Sequence, residues 1–563
     1  MPDRYWVAGG TGNYNSATNW SATSGGASGA SVPTSADNVF FNASSGAGTA
    51  TINVASSCAN LNLTGFTGTL TFNNNLSVAG TVVNLGTGAY TVLGTAALRF
   101  QTASTITSNG SSWSRNITFA ANGAFTLADN LTVLGTLSFE GNFTPTINGN
   151  TLNISGDLTY NSVGNTSGTT LFNFNGTGTW SHTNSGAIGN SVTINTVGTL
   201  TISGTVYKSG NTFTYTAGTV VDTGATVVIS SSTTLNVSGK TWNKLLVNNT
   251  ITLTSNINAV TFGTTGSNTT TFVLGGNTLN FTNLELGNTG TTTLPSAWSC
   301  QNLTFVNASA GTINGNSITI NGNILQSGTG TYSGTTTFTY AGTGTWNRTS
   351  TGYFSNSFTI NTAGTLTITG GNIGGGIFTY TAGTVVTTGG TLWNRVTGTT
   401  FNHGAIIFNN VVFGASEGSG SVPSVTLNNK LTCTGTLTLG VSNTTFAGTD
   451  GTFDVFNLIL GTDALALRTT TLVSTKTYLV RQSFTCTQAT DANRILMQST
   501  IGGSKAIFTV FNNSTLNVGF VNATDIDSSL GKRIYSYRGV FSNTDNWALL
   551  PTDVKSATGV FVN

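Results

Sequence analysis

Charge is what this chain of 563 residues has least of: 18 Lys+Arg and 16 Asp+Glu make up 6% of it, against roughly 25% in an ordinary soluble domain. A net charge of +2 offers no basic face to a phosphate backbone, so nucleic acid is not an expected partner. Histidine (2), methionine (2) and proline (6) are nearly absent. No run of about 18 apolar residues exists that could insert into a membrane as a helix. The opening MPDRYWVAGGTGN lacks a basic segment followed by an apolar run. We therefore expect no conventional secretory signal, and synthesis in a cytoplasm. Cys58, Cys300, Cys433 and Cys486 stand far apart with no Cys-x-x-Cys pair, which argues against zinc and against a disulfide framework and favours buried core thiols. No cofactor is expected.

What is present is a folding sequence. Aromatics reach 10%, with 32 Phe, and 72 Gly alternate with Thr, Ser and Asn; disordered chains lack aromatics and carry high net charge. Val, Ile, Thr, Phe and Tyr fit a pleated, half-buried surface, so the class is all-β, with essentially no long helix.

A long repeat sets the architecture. TINGNTLNISGDL from Thr146 recurs from Thr312 as TINGNSITINGNIL, and NSVTINTVGTLTISG from Asn190 recurs from Asn356 as NSFTINTAGTLTITG. Trp180 and Trp346, in FNGTGTWSHTN and YAGTGTWNRTS, and Ile194 and Ile360 are pairs 166 residues apart; FTYTAGTVVDTG from Phe213 returns as FTYTAGTVVTTG from Phe378, with one residue lost. Within each copy, runs such as TLTIS and TVVIS alternate with Gly-Asn, Thr-Gly and Asn-Asn turns, implying strands of four to six residues.

Such runs, with tiny turns and a Thr/Ser/Asn exterior, predict a parallel β-helix (β-solenoid). One coil cannot bury its apolar face, but stacked coils form a continuous core. Coils of roughly 20 to 25 residues at about 4.8 Å spacing would make a rod on the order of 100 Å long. Right-handed winding is expected on family frequency. A string of β-sandwiches is the competing arrangement, but it would bring linkers that this uniform texture lacks.

The expected domains are an N-terminal cap or docking segment (1–48), a rod containing the duplication (49–413), a linker and last coils (414–449), and a C-terminal β cap or tip region (450–563). Trp6, Trp20 and Phe40 are expected to plug the first coil, whose core and strand edges would otherwise be open. GASEGSGSVPS (414–424) reads as a turn-rich linker. The final fifth holds nine of the basic and eight of the acidic residues, and SNTDNWALLPTDV around Trp547 is expected to close it.

RYWVAGGTGNYNSATNWSATSGG followed by SVPTSADNVFFNASSG resembles, over about 45 residues, the start of large β-helical virion proteins of marine and cyanobacterial bacteriophages. There a Tyr-Trp-Val-Gly-Gly-like opening, an Asn-Trp and a Val-Pro-Thr-x-x-Asp-x-Val-x-Phe stretch follow in that order. Ala8 and Tyr14 depart from the pattern. Related patterns open bacterial autotransporter-like adhesins, which normally carry secretion signals. The resemblance implies a fibre, spike or appendage on the virion surface. From that follow a homo-oligomer, commonly a trimer, and contacts with other virion proteins and with a host cell-surface glycan. The rival readings are a tailspike depolymerase and a bacterial surface adhesin.

Catalytic chemistry finds little support. Glycoside hydrolysis usually needs two carboxylates about 5 to 10 Å apart, whereas Asp157 and Asp450 enclose only Asp222, Glu285 and Glu417. Asp222 becomes Thr387 in the second copy, so no carboxylate site is duplicated. The two histidines, His182 and His403, are not repeat-equivalent, since Arg348 stands in the place of His182. GTGTW and GGNIGGG lack the Gly-Lys-Ser/Thr ending of a phosphate loop. Asp525 and Asp527 would share one face of a strand and are the only candidates for Ca²⁺ or for an acid/base pair, although the loop of a dedicated calcium motif is missing.

Overall fold

The computed structural model describes residues 1–87, 89–373, 376–394, 399–414, 425–440, 444–461, 468–486 and 494–550. Residues 415–424 of the expected linker, with Glu417, and residues 551–554 of the closing tail lie outside them. The described chain is all-β, a parallel β-solenoid of about 22 turns. Its only helices there are single turns at Ala17–Asn19 and Ala43–Ser45.

The chain forms two compact units. One comprises residues 1–263 with 270–281, the other 264–269 with 282–563. One copy of the repeat belongs to each. Neither border falls at 413 or 450. Phe413 pairs with Leu439, Leu431 with Phe453 and Leu458 with Phe484, all in parallel. The ladder therefore crosses both expected boundaries. Coil length changes along the second unit: stacked groups lie 20 to 22 residues apart in the repeats, 26 to 28 apart between Asn410 and Asn522, and 18 apart in the last coils. The parallel ladder continues through the shift in composition, Ile495 pairing with Val521.

Each inward column follows from period-two alternation. In the first unit Trp180 stands between Leu158 and Ile202, and Ile194 between Phe174 and Tyr215. In the second, Trp346 stands between Ile324 and Ile368, and Ile360 between Tyr340 and Tyr380. All four residues are fully buried, and their neighbours correspond residue for residue, so the repeat in sequence is a repeat of core position.

Outward columns carry the amides. Asn153 Nδ2 donates to Thr132 Oγ1 at 3.3 Å, and Asn173 Nδ2 donates to Asn153 Oδ1 at 2.8 Å. At the turns an Asn carbonyl caps the next coil's backbone: Asn148 accepts from Thr169 N (3.2 Å), and its repeat counterpart Asn314 from Thr335 N (3.1 Å). Asp157 takes the same post toward Thr179 N as Asn323 does toward Thr345 N. Its carboxylate does an amide's structural work.

The GTGTW turns owe their glycines to the preceding coil. A Cβ on Gly342 would fall on the carbonyl of Asn321, and one on Gly176 on that of Ser155. Gly342→Ala must push two coils apart, and we expect it to destabilise the neighbouring turns by about 1–3 kcal/mol. Faster amide exchange over 321–346 is the check, and unchanged protection would contradict the contact.

At the N-terminal end, Asp3–Trp6 pairs in parallel with Asn38–Phe40 and antiparallel with the edge strand Trp20–Ser21. Trp6 and Trp20 meet edge to face at 5.2 Å, and Tyr14 and Phe41 pack on Trp20. Phe40 is not part of this cluster. Alternation turns Val39 and Phe41 inward and Phe40 outward, where it stacks on Tyr5 at 4.7 Å. Asp37 ties the segment down by accepting from the Thr34 amide (2.8 Å) and hydroxyl (2.7 Å). Burial alone would raise its pKa, but these bonds and Arg4 hold it below the usual value. Near the other end, Trp547 is buried, packs on Phe541 at 5.6 Å and donates to Ser528 Oγ at 2.9 Å.

Candidate functional site

Asp525 and Asp527 do not form a pair on one strand face. Asp525 precedes the strand Ile526–Asp527 at φ +57°, and its carboxylate accepts from Asn543 Nδ2 and from Gly503 N (3.0 Å). The hydrogen bond from Asn543, then that from Gly503, keeps its pKa below the usual value. Asp527 instead caps Ser529 N at 2.8 Å. The left-handed backbone at Asp525 breaks the alternation that would have aligned the two. Among the described residues no group of three or more His, Cys, Asp or Glu could hold a metal ion.

The other carboxylates weighed as acids or bases are also engaged. Asp222 receives Lys240 Nζ at 2.9 Å and Asn243 N at 2.9 Å. Glu285 lies on the strand Leu279–Asn288 beside Thr304. All four cysteines are buried and unbridged, and burial raises every thiol, those of Cys300 and Cys433 to about 12.

His182 is a structural acceptor. Trp180 Nε1 donates to its Nε2 at 2.9 Å, which leaves Nδ1 to donate to Gly186 O at 2.9 Å. In the second copy Trp346 donates to Gln326 Oε1 instead, while Arg348 stacks over Trp393 at 4.6 Å. Burial lowers His182 to about 4, against a smaller upward pull from Gly186. The folded ring resists a proton that the unfolded one takes up near 6.5, so stability falls as pH drops from about 6.5 to 4, by about 2 kcal/mol. His182→Gln keeps an acceptor for Trp180 and has no proton to gain. Melting of this variant should be flatter than that of the native chain between pH 7 and 4.5; identical slopes would remove His182 as the cause.

The arrangement best suited to a ligand is a cleft of about 350 Å³ lined by Thr432, Cys433, Thr434, Asp454, Phe456 and Arg481. Three consecutive long coils build it, and register shifts after Cys433 and Val455 turn Thr434 and Phe456 outward. Asp454 grips Arg481 through two bonds, to Nε at 2.6 Å and to Nη2 at 2.7 Å. Lys430 Nζ lies 3.9 Å from the same carboxylate. Arg481 also rests over Phe511 at 5.1 Å. The guanidinium is thereby held, while about half of the Arg481 side chain stays exposed and lines the cleft with the exposed ring of Phe456. Sequence reasoning pointed to the final fifth but not to this cleft, because bulges place its residues and bulges leave no periodic signal.

No protein-family model, curated protein or solved structure matches this chain.

Proposed function

We propose that the chain is a non-enzymatic structural protein of a bacteriophage particle, a β-solenoid fibre or spike displayed on the virion surface. In this reading it is a homo-oligomer, a trimer held through a terminal region, docked on other virion proteins and reaching a host cell-surface glycan. The observation that carries it is the use of polar groups. The Asn, Thr and Asp side chains of the repeats cap neighbouring coils rather than converge on a reaction centre. A charge-poor solenoid stitched in this way, with few Lys and Arg for proteases to find, suits a particle outside a cell.

The aromatic cluster of Trp6, Tyr14, Trp20 and Phe41 supports a capped or docked N-terminal end. The cleft at Phe456 and Arg481 supports a glycan contact in the long coils, since sugars offer C–H faces to an aromatic ring and hydroxyls to a fixed guanidinium. Deleting residues 1–45 should abolish incorporation into particles, read by electron microscopy of purified virions. Unchanged incorporation would overturn the docking role, and absence of the native chain from virions would overturn the reading itself.

A further inference from the structure

Two cations share one carboxylate at the cleft in the long coils. Lys430 precedes strand Leu431–Leu439, Asp454 lies on Phe453–Leu460 and Arg481 on Thr477–Cys486, and the three strands pair in parallel as successive coils. Lys430 and Arg481 therefore reach Asp454 from the coils on either side of it. The Asp454 side chain is 10% exposed, whereas those of Lys430 and Arg481 are each 48% exposed. The acid is the buried member and the cations are the exposed ones, so solvent meets a positive face with one charge in excess. Elsewhere Arg99 meets Glu140, Lys240 meets Asp222 and Lys505 meets Asp545, one cation to one acid.

Arg481 has donors to spare. A guanidinium carries five N–H groups in a fixed plane, and Asp454 takes one from Nε and one from Nη2. Among the described residues no group accepts from the other three, two on Nη1 and one on Nη2. Nη1 and Nη2 together form a second fork, the shape that meets both oxygens of a carboxylate at once. Asp454 on one edge and Phe511 against the guanidinium, at 5.1 Å, hold that fork in place. Thr434 and Phe456 line the cleft with it, and both are exposed.

We propose that the cleft takes a carboxylate-bearing sugar of a glycan. Its acid group lies on the free fork of Arg481 with Lys430 alongside, a C–H face of the sugar ring on Phe456, and a hydroxyl on Thr434. The proposal rests on the glycan contact proposed above and adds its chemical class, since a neutral sugar would leave the excess charge unanswered. An acidic peptide fits less well. Phe453–Leu460 is paired on one side with Leu431–Leu439 and on the other with Thr477–Cys486, and so has no free edge for an extended backbone.

The test is fluorescence anisotropy of end-labelled probes titrated with the full chain. The probes are a hyaluronate octasaccharide, whose acid groups lie within the chain, sialyllactose, whose acid group is terminal, an uncharged dextran oligosaccharide, and hexaglutamate. At least one acidic sugar should bind about tenfold or more tightly than dextran, and less tightly as salt rises. Phe456→Ala should weaken that binding about tenfold, and so should Arg481→Lys, which keeps the charge but has no fork. Lys476→Gln removes a cation that points to Thr449 O outside the cleft, and should bind like the native chain. Circular dichroism checks that each variant stays folded. Equal binding of dextran and the acidic sugars, with the same loss in Phe456→Ala, would overturn the acidic class and leave the glycan contact standing. Hexaglutamate binding as tightly as the acidic sugars, or acidic-sugar binding that survives both Phe456→Ala and Arg481→Lys, would also overturn the proposal. Binding of no sugar at all would overturn the glycan contact with it.

Discussion

Lys208→Ile is expected to stabilise the first unit by about 3 kcal/mol at neutral pH. Lys208 occupies a core column. It pairs with Ile188 and Ile229, and Ile229 pairs with Val247, all fully buried. The repeat counterpart is Ile373, between Phe354 and Asn394. The ammonium reaches the carbonyls of Ser209 (2.9 Å) and Gly210, but burial still lowers its pKa to about 7 from 10.5. The unfolded chain therefore holds a proton that the folded one resists. The resulting penalty is full below pH 7 and fades as pH rises through 10.5. The advantage of Lys208→Ile should accordingly shrink between pH 7 and pH 10. Hydrogen exchange over residues 188–247 reads it locally. Equal protection of the two proteins at pH 7 would show that the carbonyls fully compensate the buried charge.

Trp346→Ala should be the most damaging single truncation in the second unit, at about 3–5 kcal/mol. The ring is fully buried, packs on Phe358 at 4.7 Å and Phe354 at 5.6 Å, and donates Nε1 to Gln326 Oε1 at 3.0 Å. Because each coil contacts chiefly its neighbours, the loss should appear in amide protection over 324–368 and leave residues 480–550 unaffected. Trp346→Phe removes the hydrogen bond and part of the ring, and should cost about 1–2 kcal/mol. A uniform loss along the whole second unit would mean that its coils unfold as one block.

Most of the stacking was legible in advance because alternation and repetition are local properties. Each strand writes its buried face into every second residue, so the columns around Trp180, Trp346, Ile194 and Ile360 could be named without coordinates. A duplication that preserves spacing must also preserve core position. The same logic failed wherever one residue escapes the period. Phe40 and Phe41 are indistinguishable by composition, and only the pairing of Asn38–Phe40 with Asp3–Trp6 decides that Phe41 faces inward. At Asp525 a single left-handed residue separates two carboxylates that strict alternation would have joined.

The sequence by itself determined an all-β class, stacked coils, the equivalence of the two copies, and a chain poor in charge. Only the tertiary structure decided that the ladder continues through residue 450, that bulges assemble Asp454, Phe456 and Arg481 into a cleft, and that a lysine stands in an apolar column. The reason is range. Hydrogen-bond ladders and alternation act between adjacent residues and adjacent coils and leave a period in the sequence. Coil length and register shifts depend on residues about 20 or more positions away, and the chain bears no local mark of them.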